Sequence, residues 1–469
     1  MLTIPLNVKS KHPLYEQIYL HIKKEIQSGA LPVQTKLPST RGLANHLQVS
    51  RNTIEQAYAQ LISEGYIESK QKSGYYICQI NGLAEYHQTK LTAKQLKAEK
   101  RKVYSYDFSP FSVDLTHFPY HTWRQLSKNC LTQDENLFLL GHNQGDDRLR
   151  HAISDYLHQS RGVRCTEEQL IIGAGVDYLL QLISILIPRN QLIAMENPSY
   201  MRAYRIFKGL GYQTAAIDLD NMGISMEKLY QSNASIAYVT PSHQYPIGIV
   251  MPIKRRMELL QWACEEENRY IIEDDHDSEF RYTGKPIPSL QGIAPQDKVI
   301  YIGTFSRAIA PAIRVGYMVL PTPLLAQYQS EYSYYSCTVS RIDQAIITNF
   351  IQEGYFERHL NRMRKLYKTK HDTLMQALGI FKDNMEICGE NAGLYVVVKF
   401  KTNVTEDLII EEAKKNGIRL YGLLEHYIQK PTDNTPTFLI GFANLSEFEL
   451  QKGIHELYEL FKQKNWFHL

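Results

Sequence analysis

Two groups of residues in this 469-residue chain carry chemistry that their types and spacing can support. Near the N-terminus, Arg51, Asn52 and Thr53 follow Ser50 at the start of an apolar-periodic run, and Lys70 and Lys72 flank a Gly74 turn. Polar side chains of that size at an exposed helix start can read base edges, and a basic hairpin tip can touch phosphate. Further along, Gly-rich and acidic turns follow short apolar β-type runs: IIGAG, ENPSY, TPSHQYP, IIEDDHDSEF and TFSRAIAPAIR. In open α/β sheets ligands bind beyond the carboxyl ends of the strands, where such turns lie. The six cysteines are scattered without a CxxC pair, so neither a disulfide framework nor a zinc site is expected, and no metal.

The elements that must position the first group are legible. Leu14, Ile18, Ile22 and Ile26 recur every four residues with Lys23 and Lys24 opposite, which predicts an amphipathic helix ending near Ser28-Gly29. Ser39 reads as the N-cap of a second helix to about Leu47, and Ser50 as the N-cap of a third that Gly65 ends. A Gln48-Val49 turn between them makes a helix-turn-helix, and the runs around Tyr66-Ile67 and Tyr75-Ile77 make a wing hairpin. The bland alternative is a small helical bundle with a basic surface.

Charge divides unevenly along the chain. The formal total is +3, yet residues 1–80 carry nine Lys/Arg against five Glu, residues 81–103 add a further +4, and the rest carries −5. A basic head on an acidic body implies that the head meets a polyanion. PLYEQI, LPSTRGLA, SRNTIEQAY and EGYIESKQKSGYYI together resemble the winged helix-turn-helix of the GntR family of bacterial regulators. That resemblance implies double-stranded DNA as partner, with Arg41, Arg51, Asn52 and Thr53 as contacts and Lys70 and Lys72 on phosphate.

Residues 79–106 are polar and Lys-rich, and read as a linker, with partial helix possible from Leu91 to Lys102. Beyond Asp107, β-rich runs alternate with helical stretches, so an α/β body with a mostly parallel sheet is expected. The expected division is a winged head over 1–78, a linker over 79–106, a large domain over 107–345 and a smaller C-terminal subdomain over 346–469.

The body's motifs, in order HFPYHTW, HNQGDDRLRHAI, IIGAG, ENPSYMRAY, TPSHQYP, IIEDDHDSEF, YIGTFSRAIAPAIRVGYMVLP, GENAGL and IGFANL, resemble fold type I aminotransferases, the pyridoxal-phosphate (PLP) class. With the head, they resemble the MocR/GabR subfamily of GntR regulators. The resemblance implies that Asp274 pairs with a pyridine nitrogen and Tyr200 stacks on the ring. It also implies that Arg202 joins the cofactor contacts after Tyr200, as in chains of that subfamily, that Ser306 and Arg314 match phosphate-binding positions, and that His243 and Gln244 keep the PSHQ turn. Taken singly, Asp274 is a strand-end carboxylate, Arg314 a structural ion pair and His276 a hydrogen-bonded core histidine.

Four positions depart from the pattern. The lysine that the family places after Thr-Phe-Ser is Arg307, and a guanidinium cannot supply the neutral amine that a Schiff base needs. The tyrosine of Asp-Asp-Tyr-Asp is His276. The phosphate cup after IIGAG holds Val176-Asp177, and a carboxylate there repels a phosphate by roughly a few kcal/mol at an effective dielectric of about 20. The arginine of Gly-Phe-Ala-Arg is Asn444, which forfeits about 1.5–3 kcal/mol toward a substrate carboxylate.

These departures imply no catalytic residue and no covalent cofactor. The expectation is a cytoplasmic transcription regulator whose body forms a homodimer and senses a PLP-related or amino-acid-like effector. PLP is held non-covalently, if at all, with His276 and Arg307 joining its contacts. The alternatives are a ligand-independent scaffold and an active aminotransferase. The Tyr-rich run over 328–336 reads either as dimer surface or as core helix. No apolar stretch reaches the about 18 residues of a membrane span, and MLTIPLNVKSKH lacks the apolar core of a signal peptide, so no membrane partner is expected.

Overall fold

The computed structural model describes residues 2–79, 103–133, 135–282, 287–432 and 435–467. The chain divides into two compact units, Met1–Arg101 and Lys102–Leu469. Of the expected linker, residues 80–102 lie outside the described residues, the suggested helix among them.

In the first unit α1 (Leu14–Gln27), α2 (Thr40–Leu47) and α3 (Arg51–Ser63) precede a hairpin of β1 (Ile67–Lys70) and β2 (Gly74–Ile77). Ser39 caps α2 by accepting from the Gly42 N–H, and Ser50 caps α3 by accepting from the Thr53 N–H, both at 3.1 Å. Gln48 ends α2 in the left-handed region (φ 54°), which turns the chain sharply into α3. Ile18, Ile22, Leu43, Ile54, Ala57, Tyr58 and Leu61 close one core, onto which Ile67 and Ile77 fasten the wing. Leu14 and Ile26, at the ends of the expected stripe, are only half-buried.

The second unit begins with β3 (Tyr106–Asp107), α4 (Tyr120–Gln133) and α5 (Asp147–Arg161). Its large sheet is then built from β4 (Leu170–Gly173), α6 (Val176–Leu186), β5 (Leu192–Asn197), α7 (Met201–Gly209), β6 (Gln213–Asp220), β7 (Gly223–Ile224), α8 (Met226–Gln231), β8 (Ile236–Val239), α9 (Ile253–Cys264), β9 (Tyr270–Asp274), α10 (Leu290–Ile293), β10 (Val299–Thr304) and β11 (Gly316–Val319). Strand order is β4-β11-β10-β9-β8-β5-β6-β7. The five strands from β10 to β6 run parallel, whereas β11 is antiparallel to both neighbours and β7 to β6. The sheet is therefore mixed. β4 and β8 are buried along their whole length, as strands covered on both faces must be.

After α11 (Thr322–Gln327), α12 (Arg341–Gln352) and the long α13 (Tyr355–Leu378) lead into β12 (Met385–Cys388), β13 (Tyr395–Phe400), α14 (Glu406–Lys415), β14 (Ile418–Arg419), β15 (Tyr421–Gly422), β16 (Thr437–Gly441) and α15 (Glu447–Gln463). A four-stranded antiparallel sheet, β12-β13-β16-β15, shares one core with α13 and α15.

Two expected boundaries shift for packing reasons. Residue 345 falls inside α12, whose Ile346, Ile347 and Phe350 bury with the α4 and α5 core of the large sheet. Conversely, Tyr106, Phe108 and Val113 bury with the C-terminal core, and β3 pairs with β14 in parallel. Asp114 anchors this entry segment through a buried ion pair to Lys370 on α13 (2.7 Å). The 328–336 run is neither purely surface nor purely core: Tyr328 is buried, while Tyr334 is exposed.

Candidate functional site

On the head, the start of α3 presents Arg51 and Asn52 to solvent. Arg51 pairs with Glu55 one turn on (Nε–Oε1 2.7 Å), an exposed contact that a stronger anion can replace. Thr53 is half-buried, and its hydroxyl lies 2.8 Å from Ser50 Oγ, so part of its polarity is spent on the cap. Arg41 is exposed on the first turn of α2. Lys70 ends β1, 3.0 Å from Glu68 and 4.9 Å above the Tyr76 ring. Lys72 occupies the hairpin tip in the left-handed region (φ 61°) and is exposed.

In the body, the strand-end turns enclose a cavity of about 600 Å³. Tyr200, Arg202, Asp274, His276, Ser306, Arg307 and Arg314 all line it, together with Asp177. Asp274 ends β9 and is buried. The Tyr238 hydroxyl, reaching over from β8, donates to its Oδ2. Burial pushes the Asp274 carboxyl up to about 6, against the opposing pull of that hydrogen bond. Asp275, the next residue, also borders the cavity, but its carboxylate is held in a buried pair with Arg161 (2.8 Å). Tyr200 meets Tyr245 edge-on, with ring centroids 5.7 Å apart.

The cup at the start of α6 is already occupied by protein. Asp177 lies on the first turn, with Oδ2 3.2 Å from Arg314 and 3.4 Å from Arg202. Gly175 permits this approach: its φ is +84°, and a Cβ there would come within 2.6 Å of the Arg314 guanidinium. Ser306 is held beside the cup, its Oγ accepting from the Thr304 hydroxyl at 3.0 Å. All three charged groups of the cup are at least a third exposed, so each pair contributes little stability.

Opposite the cup, Arg307 is locked in place. Its Nη2 donates to Asp277 Oδ2 at 2.8 Å, its Nε lies 2.6 Å from Oδ1, and its Nη1 donates to the Pro110 carbonyl at 2.7 Å. Asp277 is itself buried and adopts φ 54°. The cation beside it holds its carboxyl below the usual range despite burial. His276 faces the cavity, and His243 lies one layer behind, its ring nearly parallel (9°) at 6.3 Å.

Three residues singled out in the sequence are placed elsewhere. His243 does not line the cavity, because Gly393 and Gly248 pack directly against its ring. The Gln244 amide is spent internally, donating to the Tyr245 carbonyl at 2.8 Å. Asn444 is exposed and donates to the Asp107 carbonyl at 3.1 Å. Reading the sequence passed over Tyr238, Phe111 and Asp277. Tyr238 and Phe111 carry no motif signal, whereas Asp277 stands within EDDHDSEF. It also passed over a cluster that no spacing rule reveals: ligand-type atoms of His243, His276 and Asp277 all lie within 4.8 Å of one another.

A family model of bacterial regulatory proteins of the gntR family matches residues 14–77, and one of aminotransferase class I and II matches residues 111–457. The chain is 41% identical over 95% of its length to an uncharacterized HTH-type transcriptional regulator, YdeL, of Bacillus subtilis, covering 96% of that protein. It is 30% identical over 96% of its length to the probable rhizopine catabolism regulatory protein MocR of Rhizobium meliloti, covering 94% of it. This chain is a MocR-type regulator of the GntR family. The regulator's body superposes on a multiple substrate aminotransferase from Thermococcus profundus with a TM-score of 0.70, spanning 81% of this chain and 97% of that one. At 24% identity, that likeness shows the fold alone. Among the described residues no helix is long and apolar enough to cross a membrane.

Proposed function

We propose that this regulator's body is a non-catalytic receptor that holds a small PLP-related or amino-acid-like effector without a covalent bond, and that its head transmits occupancy to DNA. The observation that carries this reading is an open cavity of about 600 Å³ lined by the Arg307 guanidinium, which is tied to Asp277; the motif resemblance puts the family's reactive amine at this position. Arg307 cannot add to an aldehyde, and Asp177 takes the anion's place in the cup. The residues present therefore do not fit covalently attached PLP, and no chemical step is assigned to it. Asp274 and Tyr200 remain suited to a cationic nitrogen and a flat ring. The exposed Asp177–arginine pairs can yield to an incoming phosphate or carboxylate.

A homodimeric, cytoplasmic protein acting on double-stranded DNA through Arg41, Arg51, Asn52, Thr53, Lys70 and Lys72 completes the reading. A second reading, a body that serves only as a scaffold, is favoured by the same Asp177 plug. Calorimetric titration of the full chain with PLP and with pyridoxamine phosphate, followed by borohydride reduction and intact-mass measurement, separates them. Binding without added mass supports the receptor. No binding of either compound favours the scaffold, and a reduced adduct sinks the non-catalytic reading.

A further inference from the structure

Buried imidazoles ordinarily find hydrogen-bond partners, and one that does not calls for an explanation. His243 is 1% exposed, and neither of its ring nitrogens has a hydrogen-bonding partner of good geometry among the described residues. His276 Nε2 is likewise orphaned. Both rings face the same small volume as the Asp277 carboxylate, with His276 Nε2 3.5 Å from Asp277 Oδ2, too long for a hydrogen bond.

We propose that His243, His276 and Asp277 form a three-ligand site for a divalent transition-metal ion, with the remaining coordination position open to the body cavity. Two imidazoles and one carboxylate suit a borderline ion such as Zn²⁺ or Co²⁺ and not the hard Ca²⁺ or Mg²⁺. Donor atoms bound at about 2.0–2.2 Å in a tetrahedron lie about 3.3–3.6 Å apart. The His276–Asp277 separation of 3.5 Å already approaches this, and the full set lies within 4.8 Å, so His243 and His276 must draw together on binding. His276 and Asp277 line the cavity while His243 lies one layer behind them, so an ion has a way in and keeps one face toward a ligand.

The surroundings bear on the site in two further ways. The Gly389 backbone approaches the His243 ring and can orient the nitrogen that does not ligate. Arg307 opposes the ion by charge. It leaves one lone pair free on each Asp277 oxygen, however, and fixes the carboxylate as an outer partner does. The site arises where His276 replaces the tyrosine of the family pattern, between two residues that alone would not hold a metal.

The test is titration of the chelator-treated full chain with Co²⁺ and with Zn²⁺, followed by the visible absorption of bound Co²⁺ and by calorimetry. One equivalent is expected to bind. His276→Ala should weaken binding by at least about 100-fold, the upper end of what loss of even an outer partner costs. His276→Cys should retain the site with a changed Co²⁺ spectrum. The exposed His151, near Asp155 and Glu167, is the control for surface capture. Absence of a one-equivalent site, binding unchanged in His276→Ala, or loss in His151→Ala overturns the proposal. The metal site does not rest on vitamin B6 binding: Arg314→Ala, which alters only the phosphate cup, should leave Co²⁺ binding unchanged whether or not PLP enters.

Discussion

Arg307 and the buried Asp277 form an ion pair in the lining of the body cavity, with Nη2 donating to Oδ2 at 2.8 Å. The pair ties the cation through Pro110 to the entry segment that carries Phe111. Removing one member of such a pair leaves an uncompensated buried charge, so the informative replacement keeps the charge and changes the chemistry.

Arg307→Lys makes that change. A lysine beside Asp277 is stabilised as ammonium, and only the neutral amine adds to an aldehyde. With PLP and borohydride, the variant should show little added mass near neutral pH and increasing amounts as pH rises toward the lysine's ordinary value of about 10.4. The parent chain should show none at any pH. A parent adduct mapped by peptide mass to another lysine would refute the role given to Arg307.

Asp177 provides the second prediction. Its carboxylate competes for Arg202 and Arg314 with any incoming anion. Asp177→Asn should tighten binding of inorganic phosphate or pyridoxamine phosphate by roughly tenfold, about 1.4 kcal/mol. The modest size follows from the partial exposure of all three groups. Arg314→Ala should abolish the gain. Equal affinities of parent and Asp177→Asn in calorimetry would remove Asp177 from the binding step.

Much of the fold is local and was therefore readable. Ser39 and Ser50 cap their helices, and the apolar fourfold spacing marks α1, because both signals act within a turn or two. The body's turns fall at strand ends because the strand-helix alternation enforces it. What escaped depends on contacts across the sequence. The Tyr238–Asp274 hydrogen bond joins neighbouring strands 36 residues apart, and Arg307 meets the Pro110 carbonyl 197 residues away. The segment over 106–113 also left no local sign that it packs with the C-terminal core, which only the Tyr106 and Phe108 burial reveals. Asp177 was expected to repel a phosphate; that the carboxylate is already paired with two arginines required the structure.

The head supplies a prediction that separates reading from anchoring. Arg51→Ala or Asn52→Ala should weaken specific operator binding by about 1–3 kcal/mol and relax preference at one position. Lys72→Ala should weaken all sequences alike and reduce the salt slope by about 1. Fluorescence anisotropy against operator and scrambled duplexes at several salt concentrations measures both. An Arg51→Ala loss equal on the two duplexes would make Arg51 a phosphate contact.

Asp274 links the cavity to stability through pH. Its carboxyl is about 6 in the folded chain against an ordinary 3.8, chiefly because burial disfavours the anion. A raised carboxyl contributes stability that is fully present below the unfolded value and is lost as pH rises through the folded one. The window therefore runs from about pH 4 to about pH 6, and its width corresponds to about 3 kcal/mol. Asp274→Asn cannot ionise, and its amide oxygen can still accept from Tyr238. Relative to the parent, it should gain up to about that amount between pH 4 and pH 7. Glu196, Glu273 and Glu279, each raised to about 7 by burial, titrate in both proteins and cancel in the difference. Thermal unfolding of both chains across this range measures it. A parent-to-variant difference that stays flat with pH would mean that Asp274 ionises as freely in the cavity as in water.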